Sequence, residues 1–239
     1  MLRYVPAGLP EIRVAFTSSA DGNLALHVGD DPLRVAAARV RLETRLGLGA
    51  GRLRFMDQVH SAVTHTVGAD PEPPGGRAPT ADALVSPDGG SPLAVMVADC
   101  VPVVLVGRTA DGAATGVAHA GRAGLLGGVL EGAVRALRGA GAGALQAWIG
   151  PAICGACYEV PPDMASDAER SMPGIATTTS RGTPGLDLPG AAARLLSRSG
   201  AAVHSAGVCT LEHPEYYSYR RDRATGRFAG LVWRAGDPR

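Results

Sequence analysis

Three side chains in this sequence are of types that ligate soft divalent metals, and each ends or interrupts an apolar segment. His60 follows Gln58-Val59, Cys100 follows Ala98-Asp99, and His119 precedes Ala120-Gly121. Two imidazoles and one thiolate make an open zinc site, with the fourth position left to water or substrate. The three are far apart along the chain, unlike the compact spacing of a zinc finger, so only a tertiary fold can gather them. Each also has a plainer reading. A histidine at a strand end commonly hydrogen-bonds at the surface, and a cysteine between valine-rich runs packs as a small apolar group. Asp99 beside Cys100 weighs against simple burial, because an acid there needs a partner or solvent.

Other residues carry weaker signals. Arg220, Arg221 and Asp222 read either as a phosphate or ribose clamp or as a surface ion-pair cluster, and Arg227 after Gly226 reads as a turn residue. Cys154 and Cys157 form a C-x-x-C, a spacing associated with redox chemistry, but a structural role is the favoured reading. With Cys100 and Cys209 they complete the four cysteines. No secretory signal is legible in Met1–Pro10, so metal binding, catalysis or burial is expected rather than a disulfide framework. Asn23 and the pair Asp30-Asp31 fall in a polar loop that either lines a site or caps the following helix.

The elements that must position these residues are mixed. Strands are expected at Arg52–Met56, Ala62–Val67, Ala81–Ser86, Leu93–Val97, Val103–Gly107 and Thr115–Ala118, the valine-rich ones fully buried. Gly124–Arg138 carries Leu125, Leu126, Val129, Leu130, Val134 and Leu137 at helical spacing. Pro161–Ser171 and Asp187–Ser197 read as further helices, with Asp187 as an N-cap. Gly150-Pro151 reads as a turn after a strand, and Ala202–Ala206 and Phe228–Trp233 as closing strands. Without regular βαβ alternation the expected class is α+β with a mixed sheet. Pro71–Pro79 reads as a surface loop and Met172–Gly185 as a second irregular region. Neither resembles an interdomain linker, so one domain over 1–239 is expected.

Composition narrows the function. Among 239 residues, 23 basic side chains, all arginine, nearly balance 22 acidic ones. No large net field favours nucleic acid or an anionic membrane. The longest apolar stretch, Pro92–Val106, is broken by Asp99 and Pro102 and is too short to span a bilayer. A cytoplasmic location is expected.

Several motifs in order carry a resemblance: NLALHVGDD at Asn23–Asp31, QVHSA at Gln58–Ala62, ADALVS at Ala81–Ser86, and PLAVMVADCVPVVL at Pro92–Leu105. They continue as GVAHAGRAGLLGGV at Gly116–Val129, IGPAICGACYEV at Ile149–Val160 and YSYRRDRATGRFAGLVW at Tyr217–Trp233. From about Ala15 to Trp233 the chain resembles the YfiH-type family of laccase-domain or polyphenol oxidase proteins, also called peptidoglycan editing factors. The resemblance implies purine nucleoside phosphorylase, adenosine deaminase and methylthioadenosine phosphorylase activities on purine nucleosides and phosphate. It implies zinc on His60, Cys100 and His119, the same three residues. It also implies a CNF/YfiH-like cysteine hydrolase fold, mixed sheets packed between helices, and a monomer. Asn23, Gln58, Arg122, Arg220 and Arg221 become the expected substrate and phosphate contacts.

The sequence departs from the family pattern in two places. Many members carry T-R-x-G-G where this chain has Thr17-Ser18-Ser19-Ala20; if the missing arginine belongs to the phosphate site, phosphorolysis is either impaired or relies on another arginine. HAGWRG becomes HAGRAG, which sets Arg122 one position early. The rival expectations are a Cys–His hydrolase of peptidoglycan precursors with Cys100 as nucleophile, copper-dependent phenol oxidation, and a non-catalytic partner protein. Copper is the alternative metal. A multicopper enzyme needs further histidine clusters, and His27, His65, His204 and His213 are scattered.

Overall fold

Valine-rich runs and amphipathic helices sort into four layers in the computed structural model, which describes residues 1–68 and 78–236. Most of the expected Pro71–Pro79 loop lies outside the described residues. The chain begins with β1 (Leu2–Tyr4) and β2 (Ile12–Phe16), then α1 (Pro32–Leu46) and β3 (Thr64–Thr66). Next come β4 (Ala83–Ser86), β5 (Leu93–Val97), β6 (Val101–Thr109) and β7 (Gly112–Ala120). Two helices, α2 (Arg122–Leu126) and α3 (Val129–Gly139), lead to β8 (Leu145–Ile149) and α4 (Pro162–Ser171). The short β9 (Ala176–Thr178) and β10 (Pro184–Leu186) precede α5 (Leu188–Arg198), β11 (Ala201–Ser205) and β12 (Phe228–Arg234).

A six-stranded sheet has the order β11-β8-β6-β7-β4-β3, and a four-stranded sheet the order β1-β2-β12-β5. The pairs β11–β8 and β3–β4 are parallel and their sheet is otherwise antiparallel, so the sheet is mixed. The expected α+β class with mixed sheets between helices is what forms. Side chains alternate across a strand, and β6 feeds two cores accordingly. Val101, Val103 and Leu105 face α3 and α5, while Val104 and Val106 meet Val14, Phe16 and Val95 between the sheets. On the outer face of the four-stranded sheet, Ala38 and Leu42 of α1 pack with Ala15, Leu231 and Trp233.

Three differences from the sequence expectation have local causes. Arg52–Met56 makes a single bridge, Arg54 to Leu93, rather than a strand; the buried Glu43 carboxylate takes the backbone N–H groups of Gly51 and Leu53, each at 2.8 Å. The single helix expected over Gly124–Arg138 is two, broken where Gly128 adopts φ 92°, a conformation that glycine reaches without penalty. The irregular Met172–Gly185 region contains the β9–β10 hairpin. Asp31 and Asp187 cap α1 and α5 by accepting from Leu33 N–H at 2.9 Å and Gly190 N–H at 3.0 Å.

Candidate functional site

The register of β6 against β7 pairs Pro102 with His119 and Val101 with Ala120. Cys100, just before β6, therefore reaches the same end of the sheet as His119. The loop before β3 brings His60 to that end. Its backbone has φ 60°, and Asp99 has φ 88°, the two non-glycine residues with positive φ among those described. Such conformations are costly outside glycine and persist where surrounding contacts enforce them. Here the contacts are visible. Asp82, fully buried in the apolar segment leading into β4, accepts from His60 N–H at 3.0 Å, Ser61 N–H at 2.6 Å, Ser61 Oγ–H at 2.7 Å and Val59 N–H at 3.2 Å. Its Oδ1 also meets His119 Nδ1 at 2.8 Å.

With Nδ1 committed to Asp82, His119 presents Nε2 toward the other two candidates. The ligand atoms of His60, Cys100 and His119 all lie within 4.8 Å of one another. His60 Nε2 is 3.8 Å from Cys100 Sγ, and the two imidazole rings are 4.6 Å apart edge to face. Gly121 closes the floor. A Cβ there would sit 2.7 Å from His60 Cδ2 and 3.1 Å from Cys100 Sγ. This donor set, two nitrogens and a sulfur around one centre with the outer side open, fits a single thiophilic divalent ion.

Burial alone would push the Cys100 thiol up, but the His119 charge and hydrogen bonds to both imidazoles outweigh it and bring it down to about 6. Burial would likewise lower His119, yet the Cys100 thiolate and the Asp82 carboxylate raise it to about 9. Burial would raise Asp82 as well, and the His119 and Ser61 contacts hold it down at about 2.

The three residues open onto a cavity of about 550 Å³ whose walls include His27, Met96, Tyr158, Tyr219, Arg220 and Arg227. Gln58 also lines it, while its amide exchanges two hydrogen bonds with the Met96 backbone at 2.7 and 2.9 Å. Arg220 lies over the Tyr158 ring at 4.8 Å, and Arg122 stands by the Tyr158 hydroxyl. Two other expected contacts are placed elsewhere. Asn23 spends its amide on Ala25, Asp30 and the Arg227 N–H. Arg221 grips the carbonyls of Thr210, Leu211 and Tyr216. Asp99 turns from the metal candidates to Thr210 Oγ1 at 2.6 Å and Arg220 N–H at 2.7 Å, anchoring the loop that carries Arg220.

Sequence reasoning passed over Asp82, although an acid between alanines at the start of an apolar strand signals a buried partner. It also read Arg227 as a turn residue, whereas its side chain walls the cavity. No residue from Thr17 to Ala20 lines the cavity.

Residues 14–235 match the family model described as multi-copper polyphenol oxidoreductase laccase. The purine nucleoside phosphorylase of Streptomyces griseus is 43% identical over 218 residues, covering 88% of this chain and 86% of that one. That of Corynebacterium glutamicum is 40% identical over 235 residues, covering 93% and 94%. Among solved structures, a Neisseria meningitidis protein superimposes with a TM-score of 0.81 at 32% identity, covering 97% of this chain and 96% of that chain. The Bacillus licheniformis protein YfiH gives 0.83 at 26% identity with the same coverage. On a family match spanning nearly its whole length and relatives of this identity, the chain belongs to the YfiH-type laccase-domain family.

Proposed function

We propose that this protein is a zinc-dependent purine nucleoside phosphorylase that also deaminates adenosine and phosphorolyses S-methyl-5′-thioadenosine at the same site. The observation that carries the reading is the convergence of His60, Cys100 and His119 at the base of a cavity walled by aromatic and arginine side chains. Relatives named as purine nucleoside phosphorylases support the substrate class.

His60, Cys100 and His119 would hold a divalent ion, which would supply Lewis acidity at the cavity floor. Asp82 keeps His119 in the tautomer that leaves Nε2 free to ligate. Tyr158 and Tyr219 offer flat aromatic faces, and Met96 an apolar side chain, for a purine to pack against. Arg220 and Arg227 are the cavity's guanidinium groups. Their charge suits phosphate. In phosphorolysis a phosphate oxygen bonds to C1′ of the ribose while the C1′–N9 bond breaks, leaving ribose 1-phosphate and the free base. The arginines hold the attacking phosphate throughout.

The test is product analysis on adenosine, inosine and methylthioadenosine with and without phosphate. Free base and sugar 1-phosphate should form only when phosphate is present, and Arg220→Ala and Arg227→Ala should raise the phosphate KM. Base release indifferent to phosphate would overturn the phosphorylase reading.

One observation favours a second reading. Cys100, His119 and Asp82 follow one another as nucleophile, base and orienting acid, with the thiol already lowered, an arrangement that suits a Cys–His hydrolase. Turnover that survives chelation but is lost on thiol alkylation would support it over zinc chemistry.

A further inference from the structure

We propose that Cys154, Cys157, Cys209 and Glu212 form a second, structural metal site that takes zinc or a similarly thiophilic divalent cation. The four ligand atoms lie within 4.8 Å of one another.

The spacing is that of two short ligand turns. Cys154 and Cys157 form C-x-x-C, and Cys209 and Glu212 form C-x-x-E. Paired ligand turns brought together from distant segments are the arrangement that structural zinc favours, and a carboxylate is an accepted fourth ligand. Both spans are turns in the fold, and hydrogen bonds hold each in shape: Cys157 N–H to Cys154 O at 3.0 Å, and His213 N–H to Cys209 O at 3.1 Å.

The two turns are also tied to each other. Ala152 bridges to Cys209, Thr210 N–H donates to Ala152 O at 3.1 Å, and Cys154 N–H donates to Cys209 Sγ at 3.4 Å. Gly155 lets the first turn pack closely: a Cβ there would lie 2.9 Å from Asp187 Cβ and 3.0 Å from Thr177 Cγ2. A disulfide would join two of the three sulfurs and leave the third beside a carboxylate. One cation engages all four donors. With four protein ligands the site is closed, which marks it as structural rather than catalytic.

Its place in the fold gives it a consequence. Tyr158 follows Cys157 directly, and the second turn precedes the segment that carries Arg220. A cation joining the turns would fasten the wall on which Arg220 lies over Tyr158.

The experiment is metal analysis of the full chain, expressed with zinc and purified under reducing conditions without chelator. Wild type should hold about two zinc ions per chain, and Cys100→Ala, Cys157→Ser and Cys209→Ser about one each, the last two losing the closed site. Should the first site hold no metal, wild type and Cys100→Ala would both carry about one, and Cys157→Ser none instead of one, so the two assignments fail separately. Alkylation of wild-type protein with peptide mapping guards against misfolded variants: Cys154, Cys157 and Cys209 should react slowly until a chelator is added. Metal content unchanged by Cys157→Ser and Cys209→Ser, or equal labelling of the three thiols with and without chelator, would overturn the proposal.

Discussion

Asp82 is the residue on which the geometry of the candidate site turns. It receives hydrogen bonds from Val59, His60 and Ser61 and orients His119, so it holds two of the three candidate ligands without itself lining the cavity they open onto. Asp82→Asn keeps the shape and removes the charge. The expected outcome is a loss of about 10–100-fold in zinc affinity, read by competition with a chromophoric chelator, with a folded circular dichroism spectrum retained. Cys100 offers a second test. In metal-free protein its thiol lies near 6 because His119 stands beside it with raised basicity. Below that pH the thiol is protonated and slow, and above it the thiolate reacts. The pH profile of iodoacetamide labelling should therefore rise with a midpoint near 6, and zinc should suppress it. A midpoint at the ordinary thiol value would remove the imidazole–thiolate pairing from the account.

At the scale of elements, the end of β7 and the start of α2 leave no room for a side chain at Gly121. Its φ of −70° is open to any residue, so Gly121→Ala introduces only the methyl, 2.7 Å from His60 Cδ2 and 3.1 Å from Cys100 Sγ. Overpacking of this kind costs about 1–3 kcal/mol, and it falls on the site rather than on the helix. The free energy of zinc binding in titration calorimetry should weaken by more than the unfolding free energy of the metal-free protein falls. These elements were legible in the sequence to different degrees. The buried strands β5, β6 and β7 and the helix α5 carry strong local patterns, and they form close to where the pattern puts them. The break between α2 and α3 was not read, because leucine spacing continues across Gly127-Gly128 and only the backbone conformation at Gly128 divides the helix.

For the whole molecule, the two sheets must stay in contact for loops from both to meet at one cavity. Phe16 of β2 is fully buried between them. Its ring fills the space that side chains on Gly150 and Gly230 would need, at 2.3 and 3.0 Å from a Cβ at each. Phe16→Ala should therefore cost about 3–5 kcal/mol in urea denaturation. The zinc content of the remaining folded protein should be unchanged, since the ring packs in the apolar core between the sheets.

What the sequence determined by itself is whatever depends on neighbours along the chain. The residue types able to ligate, the alternation of buried strands, the capping aspartates Asp31 and Asp187, and the ordered motifs that mark the family are all of this kind. The tertiary structure alone decided which of those groups meet. Asn23 and Arg221 look like substrate contacts in a motif, yet the Asn23 amide is spent on Ala25, the Asp30 side chain and the Arg227 N–H, and the Arg221 guanidinium on the carbonyls of Thr210, Leu211 and Tyr216. Arg227 looks like a turn residue and walls the cavity. The physical reason is that sheet register and loop closure act between residues distant in sequence. Which way an isolated arginine points depends on partners, such as the Asp99 carboxylate holding Arg220 N–H, that no local pattern encodes.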